Sequence, residues 1–360
     1  MKEDMKKDKI TVLYFGMYDP KYARNSVLIK GLRENDVNVI ECQDSSPGLK
    51  KFVRLFKKHR KLKGQYDIMV VGFLGHIIVP FAKLITRKPV VFDAFVSLYD
   101  SNIFDRKLAP KCSIKALWYW LLDWISFRLA DIVLFDTQQH VNYAIKTFGG
   151  RAEKFKSIFI GAQDSIFKPV DPADAPIKQY DFEVLFYGGF IPLQGIQYIL
   201  KAIKLLEGKG IDFTIIGDGQ EKKKMLTLAD ELELKDTHFE GFADLDTVVK
   251  RIARTDVCLG IFGDTPKTRR VIPNKVYECI AMAKPVISSD TPASRELFSG
   301  DDVLLVDVAD AESLADGIIR LKDDKHLRES FAKQGYNMFQ KHTCPKVLGF
   351  QLKKILCASL

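Results

Sequence analysis

Cysteine is scarce in this chain, and none of it falls in a redox or metal-binding spacing. The six cysteines, at positions 42, 112, 258, 279, 344 and 357, include no C-x-x-C pair, so they read as single thiols in a reducing cytosol. The six histidines show no ligand spacing either, which argues against a zinc site, and no metal is expected. Long apolar runs are missing. Ile68–Ala82 is uncharged and mostly apolar, but glycine and proline interrupt it and it falls short of the roughly 20 residues that span a bilayer. The opening MKEDMKKDKI is charged and lacks the apolar core of a signal peptide. The expectation is a cytoplasmic chain. No repeat of solenoid period and no low-complexity tract appears. There is no G-x-G-x-x-G fingerprint, and no nucleic-acid-binding module accompanies the basic charge.

What is present is a globular composition: 360 residues, 47% hydrophobic and 28% charged, enough for two domains of roughly 100–200 residues each. The net charge of +9 is uneven. Residues 1–180 carry 30 Lys and Arg against 19 Asp and Glu, or +11, and residues 181–360 carry 25 against 27, or −2. A basic first half attracts anionic surfaces such as lipid phosphates or acidic glycans. Leu49–Lys63 concentrates that charge, with eight Lys or Arg and no acid. Leu49, Phe52, Val53 and Phe56 form an apolar stripe through it. Two readings stay open: an ordinary helix packed on a sheet, or a basic amphipathic helix on a membrane surface.

Apolar runs at 10–15, 37–41, 66–72, 88–93, 130–135 and 157–161 read as strands alternating with helices at 26–33, 49–63, 79–86 and 117–129. The last of these, rich in Trp and Leu, reads as a buried helix, with membrane contact as the alternative. Further strands follow at 183–187, 213–216, 238–240, 257–260, 285–288 and 303–306, and consecutive helices at 310–321, 325–340 and 345–356. The alternation implies α/β architecture with doubly wound parallel sheets. The Pro-rich stretch 169–180 separates a first domain (1–168) from a second (181–344), and 345–360 is a terminal helix.

The candidate site residues sit where strands end. Tyr187-Gly188-Gly189 through Gln194 joins the second domain's first strand to its first helix, and Gly217-Asp218-Gly219 ends the next. Glycine there lets a ligand approach the backbone, although each turn taken alone reads equally as a plain connection. Arg269–Ile287 reads as loop, helix, turn and strand. Pro273 stands at the helix start, where its missing N–H costs nothing. The free N–H groups and positive dipole end there suit a diphosphate. Lys267, Arg269, Arg270 and Lys275 add charge beside Asn274, and Glu278 lies one turn on, able to accept from sugar hydroxyls. The alternative is a surface crossover with solvated charges. In the first domain the loop candidates are Gly16 with Arg24, Asp93 with Asp100 as a pair for acid/base work or as caps, and His76 as a cleft contact or a packed histidine.

These residues resemble the retaining glycosyltransferases of family 4. The resemblance rests on YGGFIPLQGI (187–196), IIGDG (215–219), FEGF (239–242), ADLDTVVKRIARTDVCLGIF (243–262), VIPNKVYECIAMAKPVI (271–287) and GAQDSIFKP (161–169), in that spacing. YFGMYDPKYARN and VFDAFVSLYD look like acceptor-side loops of one branch. The resemblance implies the GT-B fold, two Rossmann-like domains facing a cleft with the terminal helix crossing back to the first. It implies metal-independent transfer of a sugar from a UDP- or GDP-sugar to a glycan or lipid-linked acceptor. It implies Glu278 on the ribose, Asn274 and Lys275 on the diphosphate, and Gly188 and Gly189 in the first glycine loop. Two departures stand out. The first of the family's paired glutamates falls on Arg270, and the Arg and Lys usual in the first glycine loop are Gly189 and Gln194. Lys267, Arg269, Arg270 and Lys275 are expected to supply the missing charge. The alternative is a non-catalytic glycosyltransferase-like subunit that binds a partner or glycan.

Overall fold

The protein was analysed as a computed structural model, which describes residues 9–171 and 176–360. Residues 1–8, and 172–175 of the expected linker, lie outside the described residues. The first half builds a parallel sheet from β1 (Thr11–Gly16), β2 (Asn38–Gln43), β3 (Ile68–Val71), β4 (Val90–Phe95), β5 (Ile132–Phe135) and β6 (Phe155–Ser157), in the order β2-β1-β3-β4-β5-β6. The central strands are apolar throughout because helices cover both faces, which is why they read as continuous runs. The helices are α1 (Ala23–Glu34), α2 (Lys50–Leu62), α3 (Ile78–Ile85), α4 (Ile114–Leu129) and α5 (Gln138–Phe148).

The second half repeats the plan with β7 (Glu183–Tyr187), β8 (Asp212–Ile216), β9 (Thr237–Glu240), β10 (Val257–Leu259), β11 (Val286–Ser289) and β12 (Leu304–Val306), ordered β12-β11-β10-β7-β8-β9. Its helices are α6 (Ile196–Leu205), α7 (Lys222–Glu231), α8 (Leu245–Arg254), α9 (Asn274–Ala281), α10 (Ala311–Asp323) and α11 (Lys325–Met338). In each sheet the chain winds one way from the starting strand and then the other. That leaves a crevice at the carboxyl ends of β1 and β3, and of β7 and β10. The doubly wound α/β expectation is met, with two six-stranded parallel sheets.

Two sequence expectations change. The sixth strand stops at Ser157 rather than running to 161, because the Ile158 and Phe159 carbonyls accept from the Arg24 guanidinium instead of from a neighbouring strand. Helix α4 is not wholly buried. Asp123, Ser126 and Phe127 face inward, while Ile114, Leu117 and Trp118 point to solvent. The buried Asp123 explains the rotation: it accepts from Ser97 Oγ at 2.6 Å and from the Leu98 and Tyr99 amides at 3.1 and 2.9 Å, so that face must meet the loop after β4.

The stripe on α2 also resolves differently from its sequence pattern. Phe52, Leu55 and Leu62 pack on the sheet. Leu49, Val53 and Phe56 stay 81%, 57% and 42% exposed among basic residues.

The last helix, α12 (Pro345–Cys357), packs along α1 and the first sheet's core through Leu348, Leu352 and Leu356. The two helices touch backbone to backbone at Gly31 and Gly349, where a Cβ on Gly31 would come within 2.1 Å of the Pro345 carbonyl oxygen. Gly31→Ala is therefore expected to cost about 3 kcal/mol, the upper end of overpacking penalties. In urea denaturation Gly241→Ala, at an open position with no neighbour within 4 Å, should be near neutral. Equal effects of the two variants would refute the close approach.

Candidate active site

The second domain's site begins with a helix tip. Pro273, extended at φ −73° and ψ 150°, delivers the chain into α9; the Val276 amide donates back to the Pro273 carbonyl at 3.0 Å, which leaves the Asn274 and Lys275 amides to meet an acceptor. Lys275 lies on the inward side of that turn. Its Nζ donates to Gln194 Oε1 at 2.6 Å and to the Gly260 carbonyl at 3.3 Å, and sits 3.6 Å from the centre of the Phe186 ring. Gly188, at φ +149°, makes room for it, since a Cβ there would stand 3.0 Å from that Nζ. Burial with neutral partners pushes the Lys275 ammonium well below its ordinary pKa. Burial lowers Lys267 as well; its Nζ donates to Ser101 Oγ of the first domain at 2.8 Å. Glu278 accepts from the Tyr187 hydroxyl at 2.6 Å, and burial raises its pKa.

These groups line one cavity of about 680 Å³ between the domains, together with Gly188, Gly189, Gln194, Pro273 and Asn274. The facing wall comes from the first domain and includes Phe73, Phe95, Ser101, Arg106 and Asp136. The domains also meet directly around it. Thr137 Oγ1 donates to the Arg270 carbonyl at 2.6 Å. Glu296 accepts from the first amides of α5, Gln138 and Gln139, at 2.7 and 2.8 Å. The Leu193 amide donates to Asp105 at 2.9 Å. Another hollow, of about 700 Å³, lies at the amino end of β12 beside α10 and α11, away from the strand ends that carry the glycines.

The family model described as glycosyl transferases group 1 matches residues 167–338. That match falls within the second half of the chain. Lipopolysaccharide core biosynthesis glycosyltransferase LpsE of Rhizobium meliloti (strain 1021) is 29% identical over 167 residues, 46% of this chain and 45% of that protein, so the chain spans less than half of LpsE. Among solved structures, Anabaena HepE in complex with UDP superposes over 97% of this chain and 100% of its own, with TM-score 0.71 and 19% identity. Sucrose-phosphate synthase from Thermosynechococcus elongatus covers 97% and 98%, with TM-score 0.71 and 15% identity. Likeness at these identities shows the fold, and the fold is GT-B.

Within the matched segment the structure brings together Gly188, Gly189, Gln194, Lys267, Pro273, Asn274, Lys275 and Glu278. Gly217 and Gly219 stand behind them. A Cβ on Gly217 would come 2.0 Å from the Gly188 carbonyl oxygen, and one on Gly219 would come 2.7 Å from the Phe190 backbone, so these glycines let two loops nest and do not line the cavity. Arg269 is exposed. Arg270, expected on the diphosphate, turns the other way. Its guanidinium pairs with Asp100, with Nε 3.1 Å from Oδ2, and lies over the Tyr143 ring at 4.3 Å. The Asp100 carboxyl, although buried, is held below the usual range by His140 and Arg270.

The first-domain expectations fare differently. Arg24 and Asp93 form a fully buried pair, with Arg24 Nε 3.1 and 3.0 Å from the two carboxylate oxygens. Asp93 therefore does not face the cavity and does not pair with Asp100; it neutralises the guanidinium that holds the chain after β6. His76 is buried 3.2 Å from Asp123 against the Phe92 ring, a packed histidine. Gly16 takes φ +133° and its carbonyl accepts from the Asp44 amide, a turn behind the cleft.

Several lining residues went unread in the sequence, Tyr22 and Asp136 among them. The Tyr22 hydroxyl reaches Asn274 at the α9 tip, and Asp136 closes β5. The strand-end reasoning applied to β7 and β8 would have found Asp136 after the apolar run 130–135.

Removing one partner of a buried ion pair strands the other charge, so Asp93→Ala should lose about 3–5 kcal/mol of stability in urea denaturation. Wild-type urea stability in that variant would refute the structural role of the pair.

Proposed function

We propose that the chain is a retaining, metal-independent glycosyltransferase of family 4. It would move a hexose from a UDP- or GDP-sugar to a glycan or lipid-linked acceptor in cell-surface polysaccharide synthesis. One observation carries this reading: a buried lysine amine whose hydrogen bonds go only to neutral oxygens, at a helix tip in a cavity shared by two Rossmann-like domains. The pyrophosphate is the anion that such a tip accepts. HepE structures hold UDP and UDP-glucose in the same fold, and LpsE is named for lipopolysaccharide core synthesis.

In this reading Lys275, Lys267 and the α9 amides meet the diphosphate, and Glu278 with Tyr187 meets the ribose. The bond between the anomeric carbon and the phosphate oxygen breaks, and its electrons pass to the diphosphate. The acceptor oxygen bonds to the same carbon from the same face, and its proton goes to the departing phosphate. Fixed N–H groups and cations favour this charge distribution more than the ground state. Arg270, held by Asp100, would steady the two domains against each other rather than touch phosphate. The enclosed cleft would limit hydrolysis.

Two measurements test the donor side. A thermal-shift panel of UDP-glucose, UDP-galactose, UDP-N-acetylglucosamine and GDP-mannose should raise the melting temperature with at least one of them, since a ligand bound only by the folded state stabilises it. No shift with any would refute the reading. The free Lys275 amine has a lowered pKa, and a bound diphosphate would raise it. Between those two values the free protein is neutral there and the complex is charged, so binding takes up a proton and weakens as pH rises. Calorimetry of UDP or GDP in buffers of different ionisation enthalpy should show net uptake, which Lys275→Met should remove.

No helix among the described residues is long and apolar enough to cross a membrane, and the membrane contact we propose is peripheral. Leu49, Val53 and Phe56 on α2, Leu84 on α3, and Ile114, Leu117 and Trp118 on α4 are exposed, and the three helices cover the same face of the first sheet. Exposed Lys50, Lys57, Arg60 and Lys61 add about 1 kcal/mol each near an anionic surface. The protein should co-sediment with phosphatidylglycerol vesicles and not with phosphatidylcholine vesicles, and Val53→Glu with Phe56→Glu should release it. Equal partitioning to both vesicle types would refute this contact.

A further inference from the structure

Two of the cavity's lining residues are acidic, Glu278 and Asp136. Glu278 is on the second domain and is engaged by Tyr187. Asp136 is on the first domain, only 1% exposed. One of its oxygens is bonded to His140 Nδ1, and the other, Oδ2, has no partner. A carboxylate oxygen left buried and unpaired is costly unless something pairs with it.

Asp136 is also held unusually firmly. Behind it His140 is fully buried, its Nε2 3.7 Å from Asp100 Oδ2. Asp100 in turn pairs with Arg270 from the other domain. The result is a row of alternating charge, Asp136, His140, Asp100 and Arg270, that crosses the domain boundary and ends at the cavity wall. The neighbouring acids raise the His140 pKa against its burial, which favours the imidazolium. The bond from the ring to one oxygen fixes the carboxylate's orientation. Asp136 lies within electrostatic reach of Tyr22 and Lys267. Tyr22 contacts Asn274 at the α9 tip, and Tyr22, Asn274 and Asp136 line the same cavity. Position 270, where the family resemblance would place a carboxylate, holds the arginine at the far end of this row.

We propose that Asp136 binds a hydroxyl of the sugar ring carried by the diphosphate, through its free oxygen, and that His140 is the residue that positions it. The inference rests on the nucleotide-sugar reading above. A carboxylate oxygen accepts a sugar hydroxyl more strongly than the amide oxygen of an Asn would. The nucleotide is held by α9, Lys275 and Glu278 and does not need Asp136. Sugar recognition is therefore divided between the domains, and the ring is gripped only when the cleft is assembled.

The test compares Asp136→Asn, His140→Asn and wild type by calorimetry and by nucleotide release, using the tightest-binding of the four panel sugars and its bare nucleotide diphosphate. Asp136→Asn should keep its affinity for the nucleotide within about twofold, bind the nucleotide sugar about tenfold more weakly and release nucleotide from it about a hundredfold more slowly. His140→Asn should shift in the same direction, and the double variant should be no worse than Asp136→Asn alone. Wild-type sugar affinity and release in Asp136→Asn would overturn the proposal, as would equal loss of nucleotide and sugar binding, which marks a structural role. If wild type binds neither nucleotide nor sugar, the glycosyltransferase reading falls first and takes this inference with it.

Discussion

The amine of Lys275 is buried with two neutral oxygens for company, and much of the second domain is arranged to keep it there. Gly188 yields the space, Gln194 and the Gly260 carbonyl orient the Nζ, and the Phe186 ring lies against it. An ammonium in that position lacks the solvation it would have in water and makes no direct ion pair to replace it, Glu278 acting only at a distance. The site therefore has a standing preference for an anion, and the free amides of α9 point the same way. In the proposed reading a diphosphate would meet this electrostatic need at the helix tip.

The opposite wall comes from the first domain, and its use of charge is different. Arg24 with Asp93, and Asp123 with His76, are pairs closed on themselves within the fold. They hold the loops after β4 and β6 in position. Arg270 with Asp100 is a third pair, but it joins the two halves, and it is backed by Glu296 capping α5 and by Thr137 on the Arg270 carbonyl. Charges that the sequence presents as one basic and acidic set thus separate into those that shape loops, those that join domains and those that face the cavity.

Strand and helix positions were largely legible because periodicity and apolar runs are local properties. The run 183–187 matches β7, and Pro273 with Asn274 starts α9. The glycine loop and the helix tip were legible for the same reason, since a strand's end can be read from the residues that terminate it. The first-domain site was less legible. Asp93 looks like a candidate acid at a strand end, yet its role is decided by Arg24, 69 positions away. The α2 stripe shows why a helical spacing is insufficient: Leu49, Val53 and Phe56 form as good a row as Phe52, Leu55 and Leu62, and which row is buried depends on how the helix meets its sheet.

The amino-acid sequence by itself determined the two parallel α/β units, the glycine-bearing strand ends and the cationic start of α9, because each follows from interactions between near neighbours in the chain. Only the tertiary structure decided that Lys275 rather than Arg270 reaches the cavity, that Asp93 is a structural partner, and that Asp136 is left with a free oxygen. Those outcomes turn on which charges meet across the folded molecule and which are left without water or a partner, and chain order carries no record of that.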